Sequence, residues 1–400
     1  NVFESGDGNE FEEDLVAYGY NWIEDTDGIT TTDLNSAVLL VITDPGERGE
    51  DLYTEAEEQV IADYVNDGGA LLVAGDSDYH DHGNPDEINN ILDKITDAGI
   101  RMNSDGTYDD TNSGSIGPWN VYWHTFPATT TTGIGVNVDT VVGFSGCSIY
   151  GVDDLGNSIP LTTGNGITLT VIGDDDTYQN DGDSNNDHFV YTSNPIPMAA
   201  VQDLPSGGRI AVWGDSSEFF SDSYTYVSGD GHQNEIYNMQ SIYWLLGHPL
   251  EKWDIGKARE DTELNDTPDH LNRLVWIEGA VTAPYGNFFD VLYVQDDTGG
   301  VTVFAPVTGE GGSGAFTLGD EVRVVGRVEL NQGDTEVEID WDLEQIQVIG
   351  SATTPDPLGL STANAALEAN EGWLIKTEGR VITKTSDYNL YVDDGSGETR

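Results

Sequence analysis

Apolar runs alternate with amphipathic stretches in the first part of the chain. The runs Ala37–Ile42 and Ala70–Ala74 are almost wholly apolar, which is typical of strands that are buried on both faces. Between them, residues 53–66 repeat apolar side chains at helical spacing, and residues 210–246 contain one more strand and helix. This order predicts an α/β domain over residues 1–250, with a parallel sheet flanked by helices.

In the later part of the chain the apolar positions recur at every second residue, as in Leu274–Val281, Val291–Val294 and Glu321–Val325. Short alternating strands separated by Gly and Asp turns predict a small all-β barrel or sandwich over residues 271–350. The segment between the two patterns, residues 251–270, is rich in charge, and we expect an acidic linker there.

An internal repeat follows in the second half of the sequence. Glu278-Gly-Ala-Val281 reappears as Glu378-Gly-Arg-Val381, and Leu292–Asp297 reappears as Leu390–Asp394. Repetition at a fixed order indicates that one structural module occurs twice.

The repeat predicts that residues 372–400 begin a second, incomplete β-module, preceded by a linker over residues 351–371. The first copy continues through Gly319–Gly326, whereas the second reaches Arg400 before any counterpart of that segment. A half barrel leaves strand edges open, so we expect the native chain or a partner strand to continue past Arg400.

The composition is strongly acidic, with 73 Asp and Glu against 14 Lys and Arg, a net charge of −59 and a pI near 4.1. Repulsion of this size destabilises a compact fold unless salt screens it, which predicts a halophilic protein. Hydrophobic residues make up 37% of the chain, which excludes general disorder. So few basic residues argue against nucleic acid or anionic lipid as a partner.

The chain offers no sequence signal for the membrane or for disulfides. No apolar run approaches the roughly 20 residues that cross a bilayer, so we expect no direct insertion. A single cysteine, Cys147, cannot form an internal disulfide. The sequence starts at Asn1 without a Met or a signal peptide, which fits a processed secreted protein or a fragment, and we expect an extracellular or cell-surface location.

Several short segments of the first domain match those of a known group of domains and occur in the same order. They are Val2–Ser5, Gly8-Asn9, Asp44-Pro45, Tyr53–Glu58, Tyr64–Gly69, Gly75–Ser77, Ile88-Asn89, Arg209–Asp215 and Trp244–Gly247. Together they resemble the class I glutamine-amidotransferase-like domains without the catalytic cysteine, as found in some surface, gliding-motility and intraflagellar-transport proteins. The resemblance implies a flavodoxin or Rossmann-like fold rather than an activity.

Residues 273–349 resemble an OB-fold of the kind appended to secreted archaeal proteins and nucleases, through the strand signature Gly319-Asp-Glu-Val-Arg-Val-Val-Gly326. With the acidity, this likeness implies a haloarchaeal-type surface protein. OB-folds often bind nucleic acid or oligosaccharide. Apart from Arg273 at its first position, only Arg323 and Arg327 add positive charge, so we expect no nucleic acid, whereas sugar binding stays open. The aromatic residues that can either stack on a sugar or fill the barrel core are Phe288, Phe289, Tyr293 and Trp341.

Two Gly-Asp-Ser turns, Gly75-Asp76-Ser77 and Gly214-Asp215-Ser216, directly follow apolar strands, where α/β enzymes place their sites. Neither completes a Gly-x-Ser-x-Gly motif, because Tyr79 and Glu218 occupy the last position. No local histidine and acid complete a triad. We therefore assign no catalytic residue and interpret the Asp-Ser pairs as caps between strand and helix.

Oxygen side chains alternate in one acidic loop at Asp181, Asp183, Asn185 and Asp187, with Asp176 just upstream. Such side chains in a looped backbone can converge on a hard cation, so the loop predicts a Ca²⁺ site. The spacing departs from the EF-hand rule, and a solvated loop without metal is the alternative interpretation.

These observations favour a secreted or cell-surface structural or binding protein of a halophile, not an enzyme. We expect it to assemble with itself or with other surface components, aided by divalent cations. Asn265-Asp-Thr267 is a candidate N-glycosylation site in the predicted linker. The alternatives are a secreted esterase or peptidase with its site near Asp76 and Ser77, and a glycan-binding accessory protein.

Overall fold

The computed structural model forms two compact units, Asn1–Pro249 and Leu250–Arg400, and each is described by itself. The residues described are 9–17, 19–24, 28–43, 53–77, 85–116, 121–129, 132–144, 146–181, 186–216, 233–285, 287, 291–304, 316–339, 346–384 and 390–399.

The first unit is built around one five-stranded sheet, with three smaller sheets beside it. Its helices and strands are, in chain order, α1 (Asn9–Ala17), α2 (Thr31–Leu34), β1 (Leu40–Thr43), α3 (Glu55–Asn66), β2 (Ala70–Ala74), α4 (Pro85–Lys94), β3 (Ile100–Met102), β4 (Gly106–Asp109), β5 (Ser113–Ile116), β6 (Val121–Pro127), β7 (Thr140–Gly143), β8 (Ile149–Val152), β9 (Ser158–Ile159), β10 (Ile167–Ile172), β11 (Thr177–Asn180), β12 (Pro197–Asp203), β13 (Arg209–Trp213) and α5 (Asn234–Leu245).

The central sheet has the strand order β1-β2-β13-β12-β10 and is mixed. β1, β2 and β13 pair in parallel, whereas β12 pairs antiparallel with both of its neighbours, β13 and β10, so the predicted parallel pairing is present only among the first three strands. The reason lies in the connection between β12 and β13, a turn over residues 204–208. A turn this short joins antiparallel neighbours, whereas parallel strands need a crossover of a dozen or more residues.

Helices cover both faces of the three parallel strands. α3 and α4 contact each other, and Ile61 and Ile88 from these helices join Val73 and Val212 of the sheet in one buried cluster. α5 packs against β2 and β13, where the Tyr237 ring meets the Trp213 ring edge to face at 4.3 Å. α3 begins at a capping box, in which the side chains of Thr54 and Glu57 accept hydrogen bonds from each other's backbone N–H groups. Among the described residues, no helix is both long and apolar enough to span a bilayer.

The second unit contains a β-barrel followed by two smaller sheets, β20-β21 and β22-β23-β24. Its elements are, in chain order, α6 (Ile255–Ala258), β14 (Leu274–Ala283), β15 (Val291–Gln295), β16 (Gly300–Phe304), β17 (Asp320–Asn331), β18 (Asp334–Glu338), β19 (Ile346–Ser351), β20 (Leu358–Gly359), α7 (Thr362–Ala365), a 3₁₀ helix (Glu368–Asn370), β21 (Ile375–Lys376), β22 (Arg380–Lys384), β23 (Leu390–Asp393) and β24 (Glu398–Thr399).

Five strands close the barrel in the order β14-β15-β16-β18-β17, and β17 pairs back onto β14. Only the β16–β18 pair is parallel. In chain order the strands run 1-2-3-5-4-1, which is the connectivity of an OB-fold, and closure leaves no free edge among these five strands. The predicted OB-type β-module is therefore confirmed.

The barrel core extends into the segment that the sequence predicts to be a linker. Trp253, Ile255 and Ala258 are buried in the same cluster as Val275 and Val324 of the barrel. The acidic linker predicted over residues 251–270 is thus part of the second unit at its beginning. The pattern misses this because only a few apolar side chains stand among many charged ones.

The predicted repeat is present in the backbone. β22 pairs with β23 as β14 pairs with β15, and both pairs contain a bulge at the same position, after Val281 in the first copy and after Val381 in the second. A bulge re-aims one strand at one residue, so its recurrence indicates that the two copies share geometry as well as sequence.

Each copy also carries a short helix fixed to the turn between its second and third strands. Asp296 accepts a hydrogen bond from the first helical N–H of α6 at 2.8 Å, and Asp394 accepts one from that of α7 at 3.4 Å. The next N–H of each helix donates to a hydroxyl, Thr298 in one copy and Ser396 in the other. The module therefore begins with its helix, and the linker predicted over residues 351–371 contains α7.

Candidate functional site

The two Gly-Asp-Ser turns lie side by side at the carboxyl edge of the central sheet. Ala74 pairs with Trp213 in parallel register, so the turns after β2 and β13 follow adjacent strands at the same level. The Gly75 N–H donates to the Trp213 carbonyl at 3.0 Å and continues the ladder into the turn. The two turns are far apart in the sequence, and the fold brings them together at the edge of the sheet where α/β proteins place ligand sites.

Asp215 of the second turn is enclosed by a loop that follows β7. Its side chain is buried, and its Oδ2 accepts a hydrogen bond from the Phe144 N–H. A Cβ added at Gly143 would lie 2.8 Å from Asp215 Oδ2, and one at Gly146 would lie 2.7 Å from Asp215 Cβ. Only glycine permits this approach, so the Asp215 carboxylate is packed closely against the loop and is not exposed.

The serine hydroxyls of the two turns are buried as well. Ser77 is 2% exposed and Ser216 is 1% exposed, and the Ser77 N–H donates to Asp76 Oδ1 at 2.6 Å. A helix cap accepts from an N–H two or three residues further on, and the residues directly after both turns lie outside the described part of the chain, so the capping interpretation stays a prediction. A nucleophilic serine has to meet its substrate, so this burial does not favour the hydrolase alternative.

Cys147 packs against the same edge of the sheet. Its N–H donates to the Gly214 carbonyl at 2.7 Å, and its side chain is fully buried. Burial, followed by the charges of Asp105, Asp76 and Asp215, raises the pKa of the Cys147 thiol well above its ordinary value. The thiolate is the reactive form of cysteine, so this thiol is held in its inert form.

Behind this edge lies a buried polar network that sequence patterns do not reveal. Asp105 is buried and accepts hydrogen bonds from the Ser148 N–H and hydroxyl, both at 2.8 Å, and from Gln179 Nε2 at 2.5 Å. Asn103 Nδ2 donates to the same carboxylate at 3.1 Å. Burial raises the pKa of Asp105, while the hydrogen bonds from Ser148 and Gln179 act in the opposite direction. The network joins segments far apart in the chain, and a satisfied network of this kind fixes their arrangement.

Asp176 lies too far from Asp181 to share one cation with it in the predicted Ca²⁺ loop. Asp176 and Asp181 flank the extended strand β11, so at about 3.3 Å per residue their α-carbons are about 16 Å apart. Asp181 Oδ2 accepts from the Asn186 N–H at 2.8 Å and lies 3.9 Å from His188 Nδ1, and Asp187 is exposed. Asp183 and Asn185 lie outside the described residues. One cation cannot bind both Asp176 and Asp181.

Asp176 instead joins a different carboxylate cluster, formed with Asp109 and Asp174. One oxygen from each of the three side chains lies within 4.8 Å of the others, and Asp109 is buried. The pairing of β11 with β4 places Thr177 opposite Asp109 and so brings the cluster together. The sequence shows Asp174 and Asp176 as neighbours, but Asp109 becomes visible only through this pairing.

The electrostatics of the cluster fit a shared negative charge. Burial and the neighbouring Asp176 raise the pKa of Asp174, whereas a hydrogen bond with Thr111 lowers the pKa of Asp176. Asn112 Nδ2 donates to Asp174 Oδ2 at 2.6 Å. A cavity of about 440 Å³ adjoins the cluster and is lined by Pro127, Ile172, Gly173, Asp174, Asp175, Asp176, Asn194 and Pro195. Carboxylate oxygens at this spacing are the donors that a hard divalent cation prefers.

On the barrel, the aromatic and basic side chains are largely engaged with each other. Lys252 Nζ lies 5.1 Å and Arg323 Cζ lies 4.9 Å from the centroid of the Trp276 ring. Glu278 bridges both cations, which lower its pKa against the opposing effect of burial. Of the aromatic residues considered for stacking, Tyr293 is half-buried beside carboxylates, and Phe288, Phe289 and Trp341 lie outside the described residues.

The candidate glycosylation residue Asn265 lies on an exposed turn, where its Oδ1 accepts a hydrogen bond from the Thr267 N–H at 3.0 Å.

No family model matches the chain, and no curated protein matches it. Among solved structures, it is similar to the second OB-fold domain of replication protein A from Methanococcus maripaludis, with 18% identity over 26% of this chain and 98% of that one and a TM-score of 0.18. It is also similar to a murine DNA-binding protein bound to double-stranded DNA, with 11% identity, 64% and 98% coverage and a TM-score of 0.22.

A third similar structure is a Leishmania major Friedlin protein described as an aspartyl-tRNA synthetase, with 14% identity over 27% of this chain and a TM-score of 0.20. This chain spans only 22% of the length of that protein. With scores this low, the OB assignment rests on the strand order of the barrel, and function has to be argued from the residues themselves.

Proposed function

We propose that the chain is a structural or binding component of a halophile's exterior, secreted or at the cell surface, and not an enzyme. The repeated β-module carries this proposal. Two copies share their bulge and their helix anchor, so the second unit is built as a series of modules along one chain. Serial modules of this kind extend a surface and offer repeated contacts without needing a reactive centre.

We infer that the first unit is the cysteine-free amidotransferase-like domain that the sequence resembles. Three parallel strands, helices on both faces and the paired turns at the carboxyl edge support this inference. The buried states of Ser77, Ser216 and Cys147 agree with a domain that has kept the fold without the chemistry.

The charge distribution supports assembly in concentrated salt. The first unit has 44 acidic side chains against four basic ones, and the second has 29 against ten. Two such surfaces repel each other in dilute buffer, but above about 1 M salt the screening length falls to about 3 Å and this repulsion no longer prevents contact. The same shortage of basic side chains argues against nucleic acid as the partner.

Divalent cations assist this assembly in our proposal, with Asp109, Asp174 and Asp176 as the ligands in the first unit. Their converging oxygens support this choice. Calcium at Asp181, Asp183, Asn185 and Asp187, and a glycan on Asn265, stay predictions.

Sedimentation velocity in about 3 M KCl tests the proposal, because self-repulsion is then screened. We expect reversible association that grows with protein concentration and weakens on chelation. Asp176→Asn should weaken it in the same way, whereas Asp175→Asn, a change of equal charge at an exposed neighbour, should not.

Two outcomes would contradict the proposal. One is a monomer at every concentration that also binds no isolated cell-envelope component. The other is hydrolysis of ester or peptide substrates that is lost in Ser77→Ala or Ser216→Ala but retained in Ser193→Ala, a change at an exposed serine.

A further inference from the structure

A short segment of the second unit lies across one face of the barrel. We call residues 368–374 the strap. The Leu374 N–H donates to Gln295 Oε1 of β15 at 2.9 Å, and Glu371 Oε1 accepts from the Thr335 N–H of β18 at 3.2 Å. Between these anchors the strap passes over β16 at Gly300. The strap therefore covers part of the face formed by β15 and β16, the second and third strands of the barrel. OB-folds bind their ligands on this face.

The contact at β16 needs glycine on both sides. A Cβ at Gly300 would lie 2.1 Å from the Gly372 carbonyl oxygen, and a Cβ at Gly372 would lie 2.3 Å from the Gly300 carbonyl oxygen. Gly372 also has a φ of +71°, which other residues rarely adopt. The strap is therefore seated by a backbone-to-backbone fit that any side chain would prevent.

Closing the strap gathers acidic groups around one cation. Glu371 of the strap lies next to Asp334 of β18 and Glu368 of the strap itself, and Arg259 Nη2 lies 3.2 Å from its Oε2. Glu336 of β18 is buried close by. Among the described residues, Tyr293 also faces Glu371 and Glu336, and Glu329 and Glu338 face Glu336.

A single guanidinium does not neutralise so many carboxylates. Burial, followed by hydrogen bonds with Asp334 and Glu368, raises the pKa of Glu371 to about 9 despite the nearby Arg259. Burial and the charges of Glu338 and Asp334 raise the pKa of Glu336 to about 7. Groups that cannot all ionise together share protons, as paired carboxyl groups do at close range.

We propose that the strap is a proton-linked clasp, closed over the β15–β16–β18 face while Glu371 carries a proton and loosened when that carboxyl ionises. A closed strap keeps this face from any ligand, and an open strap exposes the carboxylates of β18. The strap thus makes access to the barrel face depend on pH, whatever the module binds.

The direction of the effect follows from the raised pKa values. Below about pH 4.5 the Glu371 carboxyl is protonated in both states, so closure has its full stability. Between about pH 4.5 and about pH 9 the open state loses a proton that the closed state keeps, and closure weakens. One such proton changes the closing equilibrium by up to about tenfold per pH unit.

Hydrogen exchange of the whole chain in molar salt tests the clasp, with rates converted to protection factors so that the intrinsic pH effect is removed. We expect protection of residues 369–376 to fall several-fold or more as the pH rises from about 5 to about 9, while protection of β14 stays constant. Glu371→Gln keeps the hydrogen-bonding shape without the charge and should flatten the profile. Glu378→Gln, at an exposed carboxylate outside the cluster, should leave the profile unchanged.

Gly372→Ala provides a second test that does not depend on Glu371. The added methyl group blocks the seat on Gly300, so strap protection should be low at every pH while the barrel stays protected. A wild-type profile that is flat across this range overturns the proposal. So does a Glu371→Gln profile with the wild-type slope, or a Gly372→Ala strap as protected as the wild type.

Discussion

Asp105 shows how much one side chain contributes in a chain with 73 acidic residues. Most of the acidic residues that the structure describes are not buried, but Asp105 is. Its carboxylate accepts four hydrogen bonds, from three side chains and one backbone group. The strands and loops that contain Asn103, Ser148 and Gln179 meet at this carboxylate. Its removal leaves buried donors without an acceptor, which is costlier than the loss of an exposed charge.

We expect Asp105→Ala to lower the free energy of unfolding of the first unit by about 2–4 kcal/mol. The matched change Asp154→Ala removes an exposed carboxylate and should stay within about 0.5 kcal/mol of the wild type. Urea titration in molar salt, with thiol labelling of Cys147 as the readout, measures the stability of both variants. The buried Cys147 thiol becomes reactive only when the first unit unfolds, so its labelling reports on this unit. Equal effects of the two variants would show that the network is not what holds these segments together.

The side-chain chemistry was only partly visible in the sequence. The capping role of the Asp-Ser pairs stays a prediction, whereas the two Gly-Asp-Ser turns themselves and Asp176 stood out in the sequence. Asp109 and Asp105 did not, because pairing of β4 with β11 and with the loop before β8 brings them to their partners. A single acidic loop predicted from spacing was wrong in joining Asp176 to Asp181, since an extended strand separates residues that spacing alone places together.

At the scale of elements, the short helices before each β-module are as much a part of the module as its strands. Asp296 accepts from the Ile255 N–H, from the Thr298 N–H and hydroxyl, and from the Gly299 N–H, all within 2.7 to 2.8 Å. Its carboxylate thereby ties α6 to the turn between β15 and β16. α6 has only four residues and no helical stability of its own, so this tie and its buried face keep it folded.

Asp296→Ala should destabilise the barrel by about 1–3 kcal/mol, because several backbone donors lose their acceptor. Asp297→Ala changes the exposed neighbour by the same charge and should have little effect. Hydrogen exchange of the β14 and β15 peptides in molar salt measures the difference. If the two variants exchange alike, the helix is held by its apolar contacts alone.

Helices and strands were predicted correctly where the apolar pattern was long and continuous. The prediction failed where the length of a connection set the direction of a strand. The apolar runs of β1, β2 and β13, the amphipathic α3 and the alternating barrel strands all formed as expected. The antiparallel direction of β12 did not follow from its buried sequence, because a strand covered on both faces reads the same in either direction. α6 was missed because its apolar face consists of Ile255 and Ala258 alone.

For the whole molecule, charge is unevenly divided between the two units. The first carries 44 acidic side chains with four basic ones, whereas basic residues are concentrated in the second, where Lys252, Arg323 and Glu278 form a linked group. Self-repulsion per residue is therefore larger in the first unit. Screening by salt should matter more to its stability than to that of the barrel.

We expect the first unit to unfold at a higher salt concentration than the second when KCl is lowered from about 3 M, because its excess charge is larger. Labelling of Cys147 reports on the first unit, and hydrogen exchange of β14–β18 reports on the second. Sucrose at equal osmolarity does not screen charge and should not restore protection of the thiol. A thiol that stays protected in dilute buffer would contradict the halophilic interpretation of the sequence.

The shared bulge and shared helix anchor in the two β-modules have a practical consequence. A stretch of chain that was duplicated as one piece has natural cutting points, and here they fall ahead of the helices rather than at the first strands. A recombinant fragment that starts at residue 271 would lose Trp253, Ile255 and Ala258 from its interior, whereas one that starts at Leu250 keeps them. The same boundary would serve for exchanging one module for the other.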